Sequence, residues 1–466
     1  MLLTTMLDDL RELVLCESFS GDHAAVRRSA EAVGAVGTRL LGAPPETIVI
    51  GGVSHLRWRF GELTGAPRVL VLGHHDTVWP VGSLRRLPWS VTDGVARGPG
   101  VLDMKAGLVQ MFHALASLPS LDGVCVLVNG DEEVGSNTSR ELIEQEARQA
   151  DAAFVLEAAG DGGALKVARK GAARYEVVVR GRAAHAGVEP GRGVNAAVEA
   201  AHLVLAVAGM GGGEGGVDVE AGGEVGAVGV KSGAGGIGME AEVEAVGARA
   251  EVGGIGARGG VGASAVGVRS GASASVVGAK IGGRVVLAGT TVTPTLLSSG
   301  TSRNTVPDLA RISVDVRVPD VAEYRRVDAL MRGLTARTPG ARVEVLGLGG
   351  RPPMEASGEL FALAALVAAG LGQEPPRGVA VGGVSDGNCT AAVGCPTLDG
   401  LGAVGGGAHA DGEHVEVGWM VPRARLLAGL VAAVLRTPCA EPGAGNSRVP
   451  PPRTPSPRTP RTPRER

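Results

Sequence analysis

The chain has almost no charge imbalance to offer a polyanion. Lys and Arg number 45 against 48 Asp and Glu, a formal net charge of -3 in 466 residues. That argues against nucleic acid or an anionic membrane surface as a partner. No apolar run approaches the ~20 residues a membrane span needs. The opening MLLTTMLDDLRELV places Asp8, Asp9 and Glu12 where a secretory leader would be basic and then apolar. Cysteine is sparse: Cys16, Cys125, Cys389, Cys395 and Cys439 form no C-x-x-C pair. They read as reduced thiols rather than a disulfide framework. The expectation is a soluble cytoplasmic protein with no membrane or nucleic-acid partner.

Aromatic residues make up only 2% of the chain, while glycine reaches 76 residues. Both anomalies are sharpest in the block 211–282, which is Gly, Ala and Val with almost no Leu and no aromatic ring. Without large side chains such a block cannot bury enough area to offset chain entropy. Its two G-x-G-x-x-G matches, at Gly233 and Gly254, follow no credible strand and carry no dinucleotide reading. The tail 438–466 repeats Arg-Thr-Pro without apolar periodicity and reads as a disordered extension.

The whole chain is 44% hydrophobic and is patterned outside that block and tail, enough for two domains with cores. RVLVLGHHDTV (68–78) is a buried-strand pattern, a glycine, and then His74, His75 and Asp76. Groups just past the carboxyl end of such a strand are where α/β folds place their chemistry. A neutral imidazole binds zinc through one nitrogen while a carboxylate accepts the other N–H. Further motifs follow: GPGVLDMKAG (98–107), NGDEEVGS (129–136), Glu157 after Phe154-Val155-Leu156, and GGGAHADGEH (405–414). Two imidazoles and three carboxylates suit a pair of zinc ions. Asp103 also reads as an N-cap for the helix that follows. His75 rivals His74, and His414 rivals His409.

This ordered set resembles the zinc-dependent exopeptidase family of glutamate carboxypeptidase, acetylornithine deacetylase, succinyl-diaminopimelate desuccinylase and aminoacylase. The resemblance covers nearly all of 7–436 except the Gly-rich block. It implies that His74 and Glu157 hold one metal, Glu133 and His409 the other, and that Asp103 bridges both. Asp76 would orient His74, and Glu132 would be the general base. The cofactor implied is two zinc ions per subunit, with cobalt or manganese as alternatives. His185 in GRAAHAG would reach from a partner subunit to an oxyanion, and Asn304 and Arg317 would bind substrate. Pro99, where the deacetylase branch usually has Arg, points to the glutamate-carboxypeptidase-like branch.

The expected fold class is α/β: a layered catalytic domain with a mixed sheet and helices on both faces, carrying an inserted α+β ferredoxin-like lid and dimerisation domain. The expected map is 1–165 catalytic, 166–349 lid containing the 211–282 insert, 350–437 catalytic, and 438–466 tail. The expected function is hydrolysis of an amide beside a carboxylate-bearing amino acid in a small peptide, by a homodimer formed through the lid. The alternatives are an N-acyl amino acid deacylase, or a binding protein silenced by the lid insert. Ser385-Asp386-Gly387-Asn388 is expected to line the pocket.

Overall fold

The computed structural model describes residues 1–61, 69–211, 279–281, 284–286 and 289–436. The tail lies outside them, as does the Gly-rich block apart from Gly211 and the short strand Ala279–Ile281. The chain folds as two compact units. The first comprises Met1–Leu165, Gly358–Arg377 and the residues from Cys389 on; the second comprises Lys166–Ser357 and Gly378–Asn388.

In the first unit, helices α1 (Leu3–Leu15) and α2 (His23–Leu41) precede strands β1 (Glu46–Ile50), β2 (Val53–Arg59) and β3 (Val69–His74). Then come α3 (Ala106–Leu115), β4 (Val124–Asn129), α4 (Arg140–Ala147) and β5 (Ala152–Val155). The sheet order is β1-β2-β4-β3-β5, closed by the short strand Thr397–Leu398. β3 runs parallel to β4 and β5, and β2 antiparallel to β4. Every residue of β3 and β4 is buried, as the uninterrupted apolar run requires of a central parallel strand. Burying Val69, Leu70, Val71 and Leu72 contributes ~1.5–3 kcal/mol for each side chain.

Helices cover both faces of this sheet. α1, α2 and α3 pack together with the last helix, Met420–Arg436. On the other side Leu142, Ile143 and Ala147 of α4 join Leu70, Leu72, Leu127 and Val155 in one apolar cluster. α2 starts where the Asp22 side chain accepts the N–H groups of Ala24 and Ala25, and ends at Gly42 with φ 76°. Among the described residues one helical stretch, Val417–Arg436, reaches the length and mean hydropathy (1.4) of a membrane span, and half of it is buried in the fold. Leu427, Leu430 and Val431 are fully buried there, so it is built as a core helix.

The second unit contains β6 (Gly171–Arg180), α5 (Ala196–Ala208), β7 (Thr291–Ser299), β8 (Leu309–Val318), α6 (Val321–Arg332) and β9 (Arg342–Arg351). The sheet order is β7-β8-β6-β9, all antiparallel. This is the order of a ferredoxin-like β-α-β-β-α-β unit. Ala310, Ile312, Val314, Val316 and Val318 alternate along β8 and pack with Ala200, Leu203 and Val207 of α5 and Met331 of α6. The Asn195 side chain caps α5 by accepting from Ala197 and Val198.

The boundary expected at 349/350 moves. β9 continues to Arg351 through a register shift between Gly347 and Gly350. The strand Gly378–Val381 pairs with the strand Leu165–Arg169, which draws Gly378–Asn388 into the second unit. There Ser385, Asp386 and Asn388 are buried. Asp386 pairs with Arg351 at 3.2 Å, and Asn388 Nδ2 donates to the Lys170 and Pro352 carbonyls.

Candidate metal centre

The carboxyl ends of the parallel strands bring the first donors together. β3 ends in Gly73-His74, and a Cβ on Gly73 would lie 2.8 Å from Leu108 and 2.9 Å from Met104. Glycine there lets α3 and the turn before it close on the strand. The His74 N–H contacts the Met104 sulfur at 3.3 Å. His74 Nε2 then lies 3.2 Å from Asp103 Oδ1 and 3.7 Å from Glu157 Oε1. Its Nδ1 faces the Asp76 carbonyl at 3.0 Å and the Asp76 carboxylate at 3.4 Å. Hydrogen on Nδ1 leaves the Nε2 lone pair for a metal.

The other oxygen of Asp103 serves a second group. His409 Nε2 is 3.2 Å from Asp103 Oδ2 and 3.2 Å from Glu133 Oε2. Donor atoms of His74, Asp103 and Glu157 lie within 4.8 Å of one another, and so do those of Asp103, Glu133 and His409. The two groups share Asp103, one oxygen each.

The donor set fits divalent metal. It offers imidazole and carboxylate without thiolate. Glu133 Oε1 is buried with no hydrogen-bond partner among the described residues, a costly arrangement unless an ion satisfies it. Burial pushes the Glu133 carboxyl up to about 7, aided by the charge of Asp103, in spite of its bond to His409. His409 is held up at about 10 by its bonds to Asp103 and Glu133. For His74, burial favours the neutral ring, but the bonds to Asp103 and Asp76 outweigh it and raise the pKa well above the usual value.

The Asp76 carboxylate does more than face His74. It accepts Ser20 Oγ–H at 2.7 Å, Glu132 N–H at 3.1 Å and Glu133 N–H at 3.2 Å. It therefore anchors the short 3-10 turn Glu132–Val134. Glu132 is half-buried and belongs to neither donor group.

The rivals occupy other positions. His75 points away, its Nε2 donating to the Ser54 carbonyl at 3.0 Å, and burial lowers it to about 4. His414 opens the strand His414–Glu416, with Nδ1 2.8 Å from the Gly412 carbonyl. Among the described residues no side chain caps α3, so the Asp103 carboxylate is not spent as an N-cap.

The remaining named residues sit in the second unit. His185 is bridged to Thr305, and Ala186 N–H donates to the Asn304 carbonyl. His185 Nδ1 accepts N–H bonds from Gly187 and Val188 at 3.2 and 3.1 Å, which leaves the hydrogen of a neutral ring on Nε2. Asn304 Oδ1 accepts from Ser302. Arg317 donates through Nε and a terminal nitrogen to Asp315, two residues earlier on β8.

The family model for Peptidase family M20/M25/M40 matches residues 70–433. The chain belongs to this family. Among curated relatives of the M20/M25/M40 chain, carboxypeptidase G2 of Pseudomonas sp. (strain RS-16) is 34% identical over 148 residues, 30% of this chain and 35% of that protein. Succinyl-diaminopimelate desuccinylase of Acidiphilium cryptum (strain JF-5) is 33% identical over 152 residues, 30% of this chain and 40% of that protein. The match thus spans well under half of each relative. The fold is shared with the M20 family metallo-carboxypeptidase Sso-CP2 from Sulfolobus solfataricus (TM-score 0.60, 16% identity, covering 92% of this chain and 99% of that one). It is shared too with aminopeptidase PepT from Bacillus cereus ATCC 10987 (TM-score 0.58, 19% identity, covering 93% and 99%).

Two supporting residues of this M20/M25/M40 centre were not singled out from the sequence, Ser20 and Glu413. Ser20 had no signal. Glu413 lies four residues after His409, in a loop where a second acid was visible but its distant partners were not.

Metal uptake is expected to depend on pH. Below about 10 the metal-free His409 is protonated, and below about 7 Glu133 is too. Ligands must lose those protons to bind. Apparent zinc affinity should therefore rise between pH 6.5 and 9, by about tenfold per pH unit for each proton released. Competition with a chromophoric chelator measures this. A flat profile would contradict the charge state assigned to His409. In the metal-free protein the raised His409 pKa has the opposite sign. Its stabilisation is full below the ordinary histidine value and is lost as pH rises through about 10.

Proposed function

We propose that the protein is a metal-dependent hydrolase cleaving an amide bond beside a carboxylate-bearing amino acid. The observation that carries this reading is the shared Asp103, one oxygen facing each donor group, with Glu132 held on an anchored turn beside them. Divalent ions held by His74, Asp103 and Glu157 and by Asp103, Glu133 and His409 would supply Lewis acidity. Glu132 takes a proton from the attacking water as its oxygen bonds to the scissile carbonyl carbon. The C–N bond then breaks, and Glu132 returns the proton to the leaving amine. His185, with hydrogen on Nε2, suits donation to an oxyanion. Arg317 meets a substrate carboxylate only by exchanging its Asp315 partner.

The substrate class is supported by the relatives' names, a carboxypeptidase and desuccinylases. The recurrence of desuccinylases among the relatives also favours a second reading, removal of an acyl group from an amino acid. A panel of peptidyl-glutamates, N-acyl glutamates and N-succinyl diamino acids, assayed with added zinc, separates the two. Hydrolysis of esters or sugars alone would sink both.

A homodimer through the second unit is part of this proposal. β7 ends one side of the described sheet and exposes Leu296 (70%) and Leu297 (56%). Exposed apolar edges of this kind are usually covered. Light scattering on the L296K/L297K double variant should show monomer where the parent is dimer. A parent that is monomeric at micromolar concentration removes the proposal.

A further inference from the structure

We propose that Glu413 is a positioning residue for the metal centre, locking the segment that carries Asp103 to the loop that carries His409. The inference rests on the donor groups assigned above. Glu413 is 3% exposed and receives four N–H groups. Oε1 accepts from Leu102 at 2.8 Å and Asp103 at 3.1 Å. Oε2 accepts from Gly100 at 3.0 Å and from the Trp79 indole at 2.6 Å. The first three come from the backbone that delivers the shared carboxylate.

Glu413 also belongs to the turn that presents His409. Its N–H donates to the Ala410 carbonyl, and Ala410 N–H to the Gly407 carbonyl. His409 sits between them with φ 62°. A second tie runs in parallel: Asp411 pairs with Arg86, whose guanidinium lies 5.7 Å from the centre of the Trp79 ring. Trp79 thus touches both ties. The side chain of His409 remains half exposed, so little packing of its own holds it against Asp103.

Only a carboxylate can accept from four converging donors. An amide keeps one acceptor oxygen and turns an NH2 group towards two of the N–H groups. Glu413→Gln should therefore displace the Asp103 backbone relative to the His409 turn while leaving all five donors present. A role confined to stability would lower the melting temperature of the metal-free protein and leave the affinity of the folded form unchanged. A positioning role changes the affinity itself.

The experiment compares parent and E413Q, both metal-free, by circular dichroism, by zinc titration against a chelator, and by the visible spectrum of the cobalt-loaded form. We expect a folded variant, zinc affinity weaker by ~10–100-fold, an altered cobalt spectrum, and a loss in kcat larger than the change in KM. Parent-like affinity and spectrum in folded E413Q overturn the inference. If E413Q does not fold, Trp79→Phe decides, because it deletes one donor and leaves an aromatic ring in place. A several-fold weaker zinc affinity supports the inference, and unchanged affinity overturns it. A parent that binds no zinc would instead refute the metal centre itself.

Discussion

Glu132→Ala is expected to keep its metal and lose nearly all turnover. General acid–base transfer contributes ~10²–10⁴ in rate, so kcat should fall by that factor. Retention of metal follows from the geometry. Glu132 is outside both donor groups, and what Asp76 holds is its backbone N–H. Alanine preserves that bond, so the turn should still deliver Glu133. Steady-state kinetics with elemental analysis on the same sample checks both halves. Near-parental kcat would remove Glu132 from the reaction, and metal loss would show that it is a ligand.

Asp103→Ala should act on both metal positions at once. Each group would retain only two donors, so affinity should drop at both, and activity with them. The fold should survive, because the bond from residue 103 to Glu413 is made by the backbone N–H. A change confined to one position would mean that the two oxygens do not serve separate ions. The metal-free variant offers an independent readout. Asp103 is the largest cause holding His409 at about 10, so the imidazole should titrate nearer its ordinary value in D103A. Proton NMR of that ring would show whether it does.

The parts legible in the sequence are those set by local pattern. The apolar run ending in His74 reads as a buried strand, and β3 is buried from Val69 to His74. Leu309–Val318 reads as a strand, and the residues that alternate inward along it face α5 and α6. Asn195 reads as a cap and is one. Alternation also places Asp315 and Arg317 on one face, where they pair.

What was not legible is non-local. The strands Ser90–Thr92, Val95–Arg97, Gly405–Gly406 and His414–Glu416 form one small sheet. None has more than three residues, so none shows a period. His414 pairs with Arg97 across most of the chain, which no local pattern encodes. β9 reads as a strand only as far as Leu348, because Gly349 and Gly350 mask the register shift that carries it to Arg351. Glu413 belongs to the same class: its acidity is plain, but its four donors lie some three hundred residues upstream.

The order of the donors along the chain also bears on how the centre is assembled during synthesis. His74, Asp103, Glu133 and Glu157 all precede the second unit, and His409 follows it. Chains fold largely as domains while they emerge from the ribosome, amino-terminal parts first. The nascent first segment carries four of the five donors, but it lacks the residues from Cys389 on, which belong to the same unit, and with them Glu413, which holds the backbone of Leu102 and Asp103. Both donor groups are therefore expected to be completed only after the entire inserted unit has been made. A translation product arrested within that unit should bind zinc weakly at either position, which chelator competition on the truncated chain would measure.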